Sequence, residues 1–584
     1  MTRAIEATLS KVIVCAIAVF LNCTLPSGWC DKGPDVSEPR YYRQVKPGKP
    51  KRIECDVAVY GGTPAGVTAA IQAARMGRKA VLLSFDRHVG GMTSGGLTAT
   101  DVGKKESIGG LASEFYSRVG SIRDFRPSQA ESLFLEMLKK AGVTVYFNRC
   151  LESVKVSDGR LVSATMETGE TIRAAVFVDA TYEGDLLAAA NVSYRVGREP
   201  AGAYDESLAG QWQKISYIDV YQFCRLPLSP YVEPGNPKSG LLPEISSETP
   251  GKPGEGDFKV QAYNFRMCLT NKEGKIPFPK PRGYDPGRYA LLGRFMNADP
   301  RIKWTLNYTT RPMTDGPIQI RNGDCNNAGS FSSDYIGGNY RWPDGTYKPG
   351  SFAQLPPPRR SLPIPLGKLY ELRERIFQDH VSYQQGLMYF LANDPQVPKT
   401  LRDRLNRFGL DPREFRDTGF WPHQLYVREG RRMVSEYVMT QANCESRRTV
   451  NDSVGLASYG MDSHSCQRVV VEEGGKTTVR NDGNFGKGCP KPYPVSYRSM
   501  VPKRQECANL LVPVCLSASH VAYGSIRMEP VFMILGQSAG TAAALAINEG
   551  LAVQDLPYEK LKARLVKDGQ RLHIPAKPFG GSTD

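Results

Sequence analysis

Histidine is scarce in this sequence, with six residues in 584. No C-x-x-C pair or His/Cys cluster accompanies them, which argues against a structural zinc site and makes each histidine worth naming. The chain has no block of Lys and Arg and no nucleic-acid motif. Its net charge of +16 is scattered, so a solvated surface accounts for it and nucleic acid is not an expected partner. Beyond residue 21 no stretch reads as apolar enough, for long enough, to anchor the chain in a membrane. Internal repeats are absent too. An apolar share of 41% with 23% charged residues excludes a disordered chain. The length exceeds one ordinary core, so two structural domains in one compact body are expected.

The N-terminus reads as a targeting segment. Arg3 and Lys11 precede Val12–Leu21, a run of ten apolar residues that is short of the roughly 20 needed to span a bilayer. A signal peptide over residues 1–30 is expected, with cleavage near Gly28–Cys30 and a secreted or periplasmic product. Cys15, Cys23 and Cys30 fall in that leader, leaving ten of the 13 cysteines, an even number that permits disulfides in an exported chain. Asn191, Asn307 and Asn451 head glycosylation sequons. Residues 31–53 are polar, basic and proline-containing: a linker or a covering arm.

Cys55–Asp86 has the pattern strand, glycine turn, small-residue helix, strand. Val57–Tyr60 suits a strand buried on both faces of a parallel sheet. Gly61 and Gly62 allow a sharp turn, Pro64 fits the first helical position, and Val67, Ala70, Ile71 and Ala74 recur at helical spacing. Lys79–Leu83 supplies the returning strand. Such a unit aims a helix N-terminus at a diphosphate. The fingerprint G-x-G-x-x-G is met by Gly61 and Gly66 but has Thr63 at its middle glycine. The carboxylate expected at the second strand's end is replaced by Ser84, with Asp86 the nearest acid. A plain structural crossover is the alternative reading of this segment alone. Arg87–Asp101 then brings two glycine pairs, Gly90-Gly91 and Gly95-Gly96, too many for a packed helix or strand, as in a loop pressed against a flat ligand.

Tyr60–Asp101 strongly resembles a family of secreted FAD-dependent oxidoreductases whose bacterial members are often labelled xanthan-lyase-related. Further blocks similar to that family are VDATYEGD at 178–185, REGRRMV at 428–434, SYGMDSH at 458–464, YRSMVPK at 497–503, and the stretch 509–544 with SASH, IRMEP and GQSAGTAAA. The resemblance implies an α/β fold: a discontinuous FAD/NAD(P)-binding Rossmann-like domain with an inserted α+β substrate domain. The boundaries expected are 54–200 for the first part of the FAD domain, 201–427 for the insert, 428–560 for the second part and 561–584 for a tail. No second glycine-rich fingerprint appears, so a built-in NAD(P)H site is not expected.

The resemblance further implies a cofactor set. It comprises Gly61, Gly62, Thr63, Pro64, Ala65, Gly66, Ser84, Asp86, Arg87, Gly90, Gly91, Met92, Asp179, Ala180, Asp185, Gly536, Gln537 and Gly540. The small residues of Met533–Asn548 suit tight helix packing as well; in the family reading, the N-terminal part of this helix faces the flavin. Arg527 and Glu529 lie just upstream of it. On the substrate side, His464 and His520 are the candidate bases for a hydroxyl proton, each with a hydrogen-bonded structural histidine as the alternative; Asp462 is a possible orienting carboxylate, and Arg498 and Tyr497 are candidates for orienting a polar substrate. The substrate expected is a hydroxylated small molecule, possibly derived from carbohydrate; nothing identifies the electron acceptor. A polyanion-cleaving lyase using Arg498, Tyr497 and His464, and a non-catalytic flavin- or carbohydrate-binding protein, are the alternatives.

Overall fold

A computed structural model of the chain describes residues 38–573 apart from 123, 212–225, 299–310, 313–317, 320–333 and 337–365. The expected signal peptide and the Asn307 sequon lie outside the described residues.

The opening unit is a strand, β1 (Lys51–Tyr60), a helix, α1 (Pro64–Arg75), and a second strand, β2 (Ala80–Leu83). β1 starts inside the stretch expected to be linker, because Lys51–Cys55 pair in register with Glu170–Ala174. The helix α2 (Pro127–Lys140) leads to β3 (Thr144–Tyr146), and three further strands follow: β4 (Leu151–Ser157), β5 (Arg160–Met166) and β6 (Glu170–Asp179). β3, β2, β1 and β6 lie side by side and parallel. Val57, Val59, Leu82 and Val178 within them are fully buried, each worth about 1.5–3 kcal/mol relative to exposure.

β6 forks. Its first half pairs antiparallel with β5, which pairs with β4, while its second half pairs parallel with β9 (Leu510–Leu511), over 300 residues later in the chain. The sheet is therefore completed by both ends of the sequence. Between them, the described residues of 201–427 hold the long helix α3 (Leu366–Asn393), and their strands are two-residue pairs such as Leu269–Thr270 with Gly409–Leu410. The later part adds an antiparallel hairpin of β7 (Gln467–Glu473) and β8 (Lys476–Asp482), turned by Gly474 and Gly475 at positive φ.

After β9 comes α4 (Glu529–Glu549), started by Pro530 in its first turn and buried from Glu529 to Ala544. Its length and apolar composition would suit a membrane span, contrary to the expectation that no later stretch is apolar enough. What it packs against is protein: it crosses α1, where a Cβ on Gly536 would stand 2.1 Å from the Ala65 carbonyl oxygen and one on Gly540 2.3 Å from that of Ala69. Only glycine allows that approach. A last helix, α5 (Tyr558–Lys567), runs across the expected boundary at 560.

Candidate active site

A cleft opens at the carboxyl ends of β1 and β2, where ligands bind in open parallel sheets. Gly61, Gly62 and Thr63 form its floor, Ser84, Asp86 and Gly91 one wall, and Thr181, Tyr182 and Glu183 another. Gly61 has φ +115°, and a Cβ there would stand 2.5 Å from the Ala180 carbonyl carbon. Gly66 is tighter still: its Cβ would lie 1.9 Å from the Gly61 oxygen.

Thr63 explains the missing middle glycine. Its φ of −69° is open to any residue. Its Oγ1 accepts from the Gly66 N–H at 3.3 Å and donates to the Ala180 oxygen at 2.7 Å. A threonine here caps α1 and ties its start to the end of β6. Ser84, in the place of the expected carboxylate, is buried and donates to the His88 oxygen at 2.7 Å. Asp86, the nearest acid to that position, lines the cleft; it accepts from the His88 N–H at 2.9 Å and its carboxyl is raised by burial.

The glycine loop after β2 is held from behind. Gly90 N–H donates to the Gly62 oxygen at 2.6 Å, and the Met92 N–H donates to the Tyr182 hydroxyl at 3.0 Å. Tyr182 donates in turn to Glu529, at the first turn of α4, and Thr93 donates to the same carboxylate, both at 2.9 Å. Burial pushes Glu529 up to about 7.

Several expected cofactor residues support the cleft without lining it. Pro64 and Ala65 are buried in the start of α1. Asp179 accepts from the N–H groups of Thr181 and Leu187 and so caps the turn after β6. Asp185 makes a bidentate pair with Arg373 of α3, at 2.7 Å for both bonds, and meets Arg431 at 3.0 Å. Burial would raise Asp185, but these two guanidinium groups hold it below the usual carboxylate range. Gly536 and Gly540 serve the α1–α4 crossing, and Gln537 accepts from the Leu111 N–H at 2.7 Å. Packing, the alternative use of these small residues, is what the geometry places there. Gly536–Gly540 also spells Gly-x-Ser-x-Gly, but Ser538 is buried inside α4 and donates to the Val454 oxygen at 2.7 Å, with no hydrolase elbow around it.

The arm before β1 covers one end of the cleft. The N–H groups of Tyr41 and Tyr42 both donate to Glu374 of α3 at 2.8 Å, and the Tyr41 ring lies 4.7 Å from that of Phe85. Arg87 pairs with Asp417 at 3.1 Å beside the adjoining pocket.

Beyond the cleft, the stretch that contributes His423, Gln424 and Leu425 to its lining continues into Tyr426 and Arg428. The guanidinium carbons of Arg428, Arg266 and Arg527 lie 4.8, 5.0 and 5.7 Å from the centre of the Tyr426 ring. Burial and the neighbouring Arg428 lower Arg266 to about 10. Arg527 donates to the Tyr426 hydroxyl at 2.8 Å and pairs with Asp462 at 2.9 Å. His464 joins this group: its Nδ1 is 2.8 Å from Asp334 and its Nε2 3.4 Å from Asp462.

His520 differs. It is 1% exposed, its Nδ1 lies 2.8 Å from Glu429 and its Nε2 3.2 Å from the Ser463 hydroxyl. Burial, then Arg432, lowers its imidazole to about 3, so it stays neutral as a core hydrogen-bonding group. Arg498 is half exposed and pairs with Asp452 at 2.9 Å, while the Tyr497 hydroxyl donates to the Val553 oxygen at 2.6 Å. Among the described contacts, none links either residue to His464. Among the described residues, no group of His, Cys, Asp and Glu could hold a metal ion.

The family model described as FAD dependent oxidoreductase matches residues 56–565. The chain belongs to that family. Over 144 residues it is 28% identical to the thiamine thiazole synthase of Thermotoga maritima, taking in 24% of this chain and 56% of that protein. It thus spans about half the length of this curated relative. Among solved structures, THI4 of Thermovibrio ammonificans is 22% identical with a TM-score of 0.21, covering 25% of this chain and 66% of that one. The 3-ketosteroid-Δ4-(5α)-dehydrogenase of Rhodococcus jostii is 15% identical with a TM-score of 0.19, covering 24% and 50%.

The cofactor of this family is FAD. The cleft fits such a group. Gly61, Gly62 and Thr63 line its floor immediately before Pro64, so the N-terminal end of α1 stands at the floor, where the helix dipole would favour a diphosphate. Asp86 lines the same cleft, with Tyr41 and Phe85 beside it.

Sequence reasoning missed Tyr41, Tyr182, His423 and the Tyr426 cluster. Tyr182 and Arg428 stood within blocks already singled out, but their partners are hundreds of residues away.

His88 gives the flavin domain a pH dependence. Burial alone would lower its imidazole, but hydrogen bonds to Asp417 and Glu131 raise it to about 10. The folded value lies above the unfolded one near 6.5. The pairing therefore stabilises the fold fully below about pH 6.5 and is lost as pH rises toward 10. Urea midpoints should fall over that interval, and less steeply in His88→Gln. Parallel curves for the two proteins would refute this assignment.

Proposed function

We propose that the chain is an exported enzyme that removes hydride from the hydroxyl-bearing carbon of a small anionic substrate, such as a hydroxy acid derived from carbohydrate. The observation behind this reading is the cluster beyond Leu425. It sets three guanidinium groups around the Tyr426 ring, next to an imidazole flanked by two carboxylates.

FAD, when bound, supplies the hydride acceptor. The chain's own groups do the rest. Arg266 and Arg527 hold the substrate's carboxylate, a task that suits guanidinium geometry. His464 takes the hydroxyl proton on Nε2, with Asp334 on Nδ1 holding the ring in place. Asp462 is held down to about 2, with His464 and Arg527 overcoming burial, so it stays anionic and favours the imidazolium that forms. Export is supported by the leader pattern of Val12–Leu21.

The test compares a hydroxy acid with its amide as reductant of the bound flavin under anaerobic conditions. The acid should work and the amide fail. Arg266→Gln should raise KM for the acid by roughly 10- to 100-fold, the loss of one charge-assisted bond, with FAD content unchanged. Equal rates for acid and amide would remove the anionic substrate from the account.

A further inference from the structure

Two cysteines stand where separate parts of the chain meet behind the candidate substrate site. Cys444 ends the short helix Gln441–Cys444 and is fully buried; Cys489 is partly exposed. Their neighbours lock the two stretches together. Lys487 forms an ion pair with Glu445, joining the residue after Cys444 to one just before Cys489. The Cys489 thiol donates to the Tyr459 oxygen at 2.9 Å and lies 3.7 Å from the Ser525 hydroxyl. Ser525 also donates to the Tyr459 oxygen, at 2.6 Å, and accepts from the Tyr493 hydroxyl at 2.7 Å. The helix holding Cys444 packs on both the helix of Ser525 and the strand of Tyr493. The two thiols lie near enough to influence one another: the presence of Cys444 lowers Cys489 below its ordinary value, while burial raises Cys444.

We propose that Cys444 and Cys489 form a disulfide in the mature protein, made by exchange with a disulfide-bearing oxidant. The Cys489 thiolate, partly exposed and favoured as the attacking group, cleaves the oxidant's S–S bond and forms a mixed disulfide, releasing one thiolate. The Cys444 thiolate then attacks the Cys489 sulfur and displaces the second. Two protons leave the cysteines and two electrons reduce the oxidant to two thiols. The bond closes a loop of some 45 residues that includes Tyr459, Asp462 and His464, so it staples the wall on which the candidate base sits and limits the unfolded chain. Its formation in the cell rests on the export reading above, since cytosolic thiols stay reduced.

The experiment takes the reduced holoenzyme, equilibrates it with oxidised glutathione and maps peptides without reductant. The expected result is one linked peptide pair holding Cys444 and Cys489, a thiol titre lower by two, and a Tm higher by several degrees that returns on adding dithiothreitol. Cys489→Ser should show neither the link nor the Tm change, and Cys444→Ser should stop at glutathione attached to Cys489. Protein in which both thiols remain open to alkylation after oxidation overturns the proposal. The state of the pair trapped by alkylation in intact cells reports separately on export: a pair that links readily in the tube but is fully reduced in cells counts against export and leaves the disulfide chemistry standing.

Discussion

Gly66→Val is expected to leave a folded protein that purifies without FAD. The added Cβ would lie 1.9 Å from the Gly61 carbonyl oxygen, and that oxygen belongs to backbone, so no side chain can rotate away to relieve the clash. Gly61→Val meets a second obstacle, a φ of +115° as well as contacts of 2.5 Å and 2.6 Å with the Ala180 backbone. Overpacking of this kind costs about 1–3 kcal/mol, and it falls on the loop that shapes the diphosphate seat. Bound FAD should drop from about one per chain to under about a tenth in either variant. Gly62→Ala serves as the graded case. Its new methyl would stand 2.3 Å from the Ser84 hydroxyl, a group that can be removed, so Gly62→Ala with Ser84→Ala should regain part of the occupancy lost by Gly62→Ala alone. Circular dichroism confirms that the variants are folded. Full occupancy in both valine variants would detach the glycine turn from the cofactor.

The second large effect is expected at His464. With Asp334 at 2.8 Å on Nδ1, its Nε2 is set to receive the hydroxyl proton, and a placed general base contributes roughly 10²–10⁴-fold in rate. His464→Gln should slow flavin reduction by about that factor while FAD stays bound. Asp334→Asn keeps the imidazole but loses the charge behind it, so a smaller loss is expected, together with a shifted pH profile for reduction. His520→Gln is the control. Its imidazole sits between Glu429 and Ser463 in the core, so the variant should melt earlier, yet the folded fraction should reduce flavin at the parent rate. Rapid-reaction traces in which His464→Gln matches the parent would remove the histidine from the chemistry.

The opening βαβ unit was legible because its signals are local: a buried apolar run, a glycine turn, a proline-started helix. β5 and β6 passed unread, since β6 alternates little and owes its place to neighbours on both edges. The small residues of α4 show how a correct observation admits two uses. Gly536 and Gly540 do signal close approach, but the approaching partner is the α1 backbone, and spacing alone does not say whether helix or ligand comes near.

The substrate side was read least well. Arg498 and Tyr497 stood in a suggestive block, yet their side chains are used by Asp452 and Val553. The groups gathered around Tyr426 come from positions 266, 334, 428, 462, 464 and 527. Only the folded chain brings these together. His464 was identifiable from rarity and context, and Asp462 from adjacency, but Asp334 lies 130 residues away in sequence.

The most direct test of hydride removal at this site is the anaerobic absorbance spectrum of the purified enzyme during addition of hydroxylated sugar acids. The account predicts a flavin band of about one FAD per chain that is bleached by at least one of these acids, with the matching keto acid formed in equal amount. An unsaturated uronate chromophore appearing from a polyanionic substrate while the flavin band stays unchanged would contradict it.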